Sequence, residues 1–214
     1  MFSNLFATVS YPTQFDPNRK YPVIFAIHGR GSDEQDMLQA LTTLKDDCVI
    51  VAIRGPHPQG NGYSFFPIIR LGSPEIDAFN AIVEALASFI RDADVRYPID
   101  PAQKYLFGFS QGAILSMTLA LKMGSQIRGL VALNGYIPQH VRDATDNLPV
   151  DQVDLYIIHG TEDQIFPIQI GRDNAQFFAE TGGRLTYGEF VVAHDISFEE
   201  QAAYTNWFRK RFHD

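Results

Sequence analysis

Short apolar runs alternate with longer segments of helical spacing along this chain, and no other feature constrains its fold as tightly. Val23 to Ile27 is a continuous apolar run between Pro22 and the loop His28-Gly-Arg-Gly-Ser32, as expected of a strand buried on both faces. Asp33 to Leu44 reads as a helix, and Cys48 to Ile53 as a second buried strand. Glu75 to Arg96 sets Ile76, Phe79, Ile82, Val83, Leu86, Phe89 and Ile90 at helical spacing. Further strands are predicted over 105–109, 130–133, 155–159 and 185–190, and further helices over 111–123, 168–180 and 198–212. Phe6 to Tyr11 reads as an antiparallel edge strand, whereas Arg54 to Pro74 has several Gly and Pro residues, no periodicity, and reads as a long loop.

Repeated β-α units of this kind predict an α/β fold, with a mostly parallel central sheet and helices on both faces. No internal repeat, low-complexity tract or long linker interrupts them, so residues 1–214 read as a single domain without a separate lid domain. With 45% hydrophobic and 13% aromatic residues the chain can bury a sizeable core. Its formal charge of -8 argues against nucleic acid or anionic lipid as a partner. Cys48 is the only cysteine, which rules out an intrachain disulfide and suits a buried strand thiol. No stretch approaches the roughly 20 apolar residues of a membrane span, and the first residues lack a signal-peptide pattern. The expectation is a soluble, cytoplasmic protein that acts on a small molecule, alone or as a homodimer.

Parallel sheets carry their sites in loops beyond the carboxyl ends of the strands. Ser110, in Gly108-Phe-Ser-Gln-Gly112, follows a strand directly and opens a helical pattern, the setting of a nucleophile elbow. The alternative for this stretch is a helix-capping serine flanked by packing glycines. A serine nucleophile needs a base and an acid to orient it, following in the order Ser, Asp or Glu, His. Asp163, in His159-Gly-Thr-Glu-Asp-Gln-Ile-Phe-Pro167, and His194, in Val192-Ala-His-Asp-Ile-Ser197, each follow a later strand in that order. Glu162 reads as solvated, Asp195 as a loop hydrogen-bonding residue, and His28 and His159 as structural histidines. His57 could line a cleft, while His140 and His213 read as solvated surface residues. The backbone N–H of Gln111 and that of Arg30 or Gly31 are the candidate oxyanion donors. Tyr63, Phe65, Phe66 and Phe166 are the candidate apolar walls of a substrate pocket, with ordinary loop-to-core packing as the alternative for each, and Phe66 fits either equally. No metal-binding pattern is present, and no cofactor is expected.

With these residues in place, the chain resembles the phospholipase/carboxylesterase family of α/β-hydrolases, which includes acyl-protein thioesterases and small bacterial carboxylesterases. The resemblance runs from about Tyr21 to Trp207 and rests on H-G-R-G-S-D-E, G-F-S-Q-G, H-G-T-E-D-Q-I-F-P and A-H-D-I-S. It implies Ser110 as nucleophile, His194 as base and Asp163 as its partner, acting on carboxylic esters or thioesters; without an obvious lid domain, small to medium acyl chains are expected. Ala193 and Asp195 replace the Gly and Glu usual in the family beside the histidine, and Arg30 stands where a smaller or uncharged residue is usual. These departures leave the three residues intact and leave the substrate open. A lactone hydrolase or perhydrolase would share the fold, and a catalytically silent binding module is the alternative from another class.

Overall fold

A computed structural model describes residues 5–70, 72–144 and 147–213. In chain order its first half holds β1 (Ala7–Ser10), β2 (Tyr21–Ile27), α1 (Glu34–Ala40), β3 (Val49–Ile53), β4 (His57–Gln59), β5 (Gly62–Ser64), β6 (Ile68–Arg70), β7 (Ser73–Pro74), α2 (Ile76–Arg91) and α3 (Ala93–Arg96). Then come β8 (Ile99–Phe109), α4 (Gln111–Met123), β9 (Gly129–Leu133), α5 (Gln139–Arg142), β10 (Asp154–Gly160), α6 (Ile168–Glu180), β11 (Arg184–Phe190) and α7 (Phe198–Phe212).

Seven strands form one sheet in the order β1-β3-β2-β8-β9-β10-β11. Only the edge strand β1 runs antiparallel, pairing Ala7 with Ile53. The continuous apolar runs become doubly buried strands because successive side chains point to opposite faces. Val23, Phe25 and Ile27 enter one core layer with the apolar face of α2, while Ile24 and Ala26 enter a second layer with Met37, Tyr204 and Phe208. Between β2 and β8 the strand order reverses, because the chain leaves β2 for β3 on one side and returns to β8 on the other. Such a switch point leaves a crevice beyond the strand ends. The loop His28–Ser32 and Ser110 both emerge there.

Two segments differ from their sequence expectation. The stretch 54–74 is not an unstructured loop but carries two small hairpins, β4 on β5 and β6 on β7. Their strands are two or three residues long and β6 is exposed, so no periodicity marks them. Strand β8 starts at Ile99 rather than near 105, with a register shift between Tyr21 and Val23 of its neighbour. The half-exposed residues Asp100 to Gln103 lack the apolar pattern that would have announced it.

Candidate active site

Ser110 sits at the turn between β8 and α4 with φ 54° and ψ −115°, a conformation that L residues seldom adopt. The turn is this tight because the helix starts against neighbouring backbone. A Cβ on Gly112 would collide with the Ile27 carbonyl, and one on Gly108 with the Gly112 carbonyl. Ser110 N–H donates to the Leu133 carbonyl at 3.0 Å, which ties the turn to the end of β9. Helix α4 then runs through the core, buried at every position except Lys122. The serine is therefore mounted on a rigid element rather than on a free loop.

His194 and Asp163 meet this serine. Ser110 Oγ lies 2.8 Å from His194 Nε2, and His194 Nδ1 lies 2.7 Å from Asp163 Oδ2. A carboxylate oxygen only accepts, so Nδ1 carries the proton and Nε2 is left to accept the serine hydroxyl proton. The other carboxylate oxygen of Asp163 accepts the N–H groups of Ile165 and Phe166, both at 2.8 Å, so the buried carboxylate is held on both sides. The imidazole lies between Phe109 and Phe166, with ring centroids 5.1 and 5.2 Å away. An imidazole so placed can take a proton from Ser110 Oγ without reorienting.

The histidines read as structural do hold loops. His28 donates through Nδ1 to the Gly29 carbonyl at 2.7 Å and accepts the Gly55 N–H on Nε2 at 2.9 Å. His159 donates through Nε2 to the Phe166 carbonyl at 2.7 Å, bracing the loop that carries Asp163. Burial lowers the pKa of both rings. Glu162 is exposed, and Asp195 accepts the Ile196 N–H within its own loop at 2.8 Å. His140 is not a solvated surface residue: it is half-buried edge-on against Phe79, and burial lowers its pKa.

Of the three candidate oxyanion amides, that of Gly31 is committed elsewhere, since it donates to the Tyr63 carbonyl at 2.7 Å. Tyr63 N–H returns a bond to the Ser32 carbonyl at 2.8 Å, so β5 pins this loop. The amides of Arg30 and Gln111 have no backbone acceptor among the described residues. Behind the loop, Glu34 is buried and forms a two-pronged ion pair with Arg54, whose guanidinium lies between the rings of Phe6 and Tyr63. That hydrogen-bonded guanidinium brings the Glu34 carboxyl down to about 2.

The candidate pocket walls lie outside the lining of the cavity beside Ser110. A cavity of about 620 Å³ opens beside Ser110 and His194, and its lining includes none of Tyr63, Phe65, Phe66 or Phe166. Phe65 and Phe66 are fully buried. The Gln111 side chain clips their backbone, accepting from Phe65 N–H at 2.7 Å and donating to the Phe66 carbonyl at 2.8 Å. Their rings turn inward onto His28 and Phe79. Tyr63 is occupied by Arg54, its hydroxyl 3.2 Å from Nη1, and Phe166 backs the His194 ring. The Arg30 side chain lines the cavity and donates to Gln59 Oε1 at 2.9 Å.

One residue escaped the sequence reading altogether. Asn134, directly after β9, is fully buried with φ 52°. Its Oδ1 accepts the Gly160 N–H at 2.8 Å, at the root of the Asp163 loop. Its Nδ2 donates to the Asp195 and Ala193 carbonyls at 3.2 and 3.5 Å, on either side of His194. The dipeptide Asn134-Gly135 is the available signal, since Asn before Gly marks a left-handed turn position. Among the described residues, no group of three or more His, Cys, Asp or Glu is arranged to hold a metal ion. No helix among them is long and apolar enough to cross a membrane.

Comparison with known proteins gives the family and the fold. The phospholipase/carboxylesterase family model matches residues 14–210. Acyl-protein thioesterase 1 of Debaryomyces hansenii is 31% identical over 168 residues, which is 71% of this chain and 70% of that protein. Its counterpart in Candida albicans is 29% identical over 155 residues, 66% of this chain and 67% of its own length. The crystal structure of the Bacillus cereus carboxylesterase shares the fold, with a TM-score of 0.84 at 18% identity over 96% of this chain and 94% of that one. The chain belongs to the phospholipase/carboxylesterase family and is an ester hydrolase of the α/β-hydrolase fold.

Proposed function

We propose that the chain hydrolyses carboxylic esters and thioesters of small to medium acyl chains through an acyl-enzyme on Ser110. His194 Nε2 takes the Ser110 proton as Oγ attacks the acyl carbonyl, and Asp163 stabilises the imidazolium that forms. The backbone amides of Gln111 and Arg30 donate to the tetrahedral oxyanion. When that intermediate collapses, the carbon–leaving-group bond breaks and the His194 proton goes to the departing oxygen or sulfur. Water, deprotonated by His194, then attacks the acyl-enzyme, releases the acid and returns the proton to Ser110. Thioesters enter because thioesterases are among the relatives of this chain.

The observation that carries this proposal is the unbroken hydrogen-bond chain Ser110–His194–Asp163 at 2.8 and 2.7 Å. The proposal takes residues 1–214 as one catalytic domain, supported by the continuous sheet from β1 to β11. It places the enzyme in the cytoplasm, where Cys48, a free thiol buried in the core, stays reduced. Turnover of p-nitrophenyl butyrate by wild type and Ser110→Ala tests it. Wild type should turn the ester over, and the variant should lose roughly ten-thousand-fold or more of kcat. Full activity in Ser110→Ala would remove the serine from the mechanism.

A further inference from the structure

We propose that the 620 Å³ cavity beside His194 receives the alcohol or thiol part of the substrate, and that it suits a bulky, uncharged aromatic alcohol. This rests on the acyl-enzyme mechanism above. The volume is in the range of small-molecule sites, far beyond what a methyl or ethyl group needs.

Proton bookkeeping assigns the cavity to the leaving group. The departing atom must come within hydrogen-bond reach of the nitrogen that took the Ser110 proton, which is His194 Nε2. The wall that begins at His194 continues through Ile196 to Phe198, and α1 closes the opposite side with Met37 and Ala40. The leaving group therefore emerges into this space, while the acyl chain extends away from the base.

The lining indicates the chemical class. Phe198 is 79% exposed in the first turn of α7, so the core does not need its ring. The Ser197–Glu200 capping box fixes the backbone beneath it, which sets the ring's point of attachment at the edge of the cavity. Phe109 and Met37 extend that apolar surface inward. Three of the polar lining residues hold a protein partner: Arg30 donates to Gln59 at 2.9 Å, Asp36 accepts the Ser32 hydroxyl at 2.6 Å, and Gln201 donates to the Ala40 carbonyl at 2.9 Å. A neutral ring lies on this apolar surface and displaces none of these bonds.

Two ester series test the assignment on wild type, Phe198→Ala and Ala40→Leu. The first varies the alcohol at constant acyl group, ethyl against 1-naphthyl butyrate. The second varies the acyl chain at constant alcohol, ethyl acetate to ethyl octanoate. Comparing ratios between variants cancels the intrinsic reactivity of each ester. The expected result is a fall of about tenfold in the naphthyl-to-ethyl ratio of kcat/KM in both variants, with the acyl-chain profile unchanged. Phe198 is exposed, so its variant reports even if Ala40→Leu folds poorly. A shifted acyl-chain profile with a constant naphthyl-to-ethyl ratio would assign the cavity to the acyl group and overturn the proposal. Active variants with neither ratio moved would overturn it too. A wild type that turns over no ester would instead sink the hydrolase mechanism on which it rests.

Discussion

Replacing Asn134 separates two contributions that this residue makes at once. Its side chain satisfies the buried Gly160 N–H and ties down both flanks of His194, while its backbone holds φ 52°. Asn134→Gly keeps the backbone conformation without strain and removes only the amide. It leaves the Gly160 N–H without its acceptor, at a cost of about 1–3 kcal/mol. The two longer bonds, at 3.2 and 3.5 Å, add about 1 kcal/mol more. Asn134→Ala loses the same bonds and places a Cβ in the left-handed region, for a further ~1 kcal/mol. Urea denaturation should therefore rank wild type above Gly and Gly above Ala, with similar m-values. In steady-state kinetics both variants should lose kcat by about ten- to a hundredfold with KM nearly constant, because the base is displaced while the cavity walls stay. A Gly variant with wild-type stability and wild-type kcat would refute the idea that this amide positions His194.

The Glu34–Arg54 pair makes a prediction about pH. A carboxyl at about 2 in the fold and near 4.5 when free contributes stability that is fully present above pH ~4.5 and fades as pH falls toward 2. With the guanidinium side chain 29% exposed and solvent-screened, the contribution is about 1–2 kcal/mol. The stability gap between wild type and Glu34→Gln, read by denaturant titration, should thus be open at pH 6 and closed near pH 2; a gap independent of pH would contradict it. Gly112→Ala should cost at least about 3 kcal/mol, because its Cβ meets the Ile27 carbonyl. Gly60→Ala, with open space around it and φ +61°, should cost only about 1 kcal/mol, and equal melting temperatures for the two variants would refute the close-approach argument.

What could be read in advance followed from repeating patterns. The buried strands announced themselves as unbroken apolar runs, and the order of Ser110, Asp163 and His194 behind successive strands pointed to three side chains that the fold brings within hydrogen-bond distance. The small hairpins of 57–74 were not legible, because strands of two or three residues bury too little to leave a period. Nor could the chain announce that Gln111 would turn the Phe65 and Phe66 rings into the core, since an aromatic loop residue looks the same facing a pocket or facing away. The Gly31 amide was lost to the pocket through a single long-range bond to Tyr63, 32 residues away, which local pattern does not encode. Asn134 acts through contacts with two distant loops, and only its pairing with Gly135 hinted at an unusual backbone.

The central claim is that Ser110 is made nucleophilic by His194. Its most direct test is the site and rate of fluorophosphonate labelling, followed by peptide mass spectrometry. The expected adduct lies on the peptide carrying Ser110, is absent in Ser110→Ala, and forms at least about a thousandfold more slowly in His194→Ala. An adduct on another residue, or undiminished labelling of His194→Ala, would contradict it.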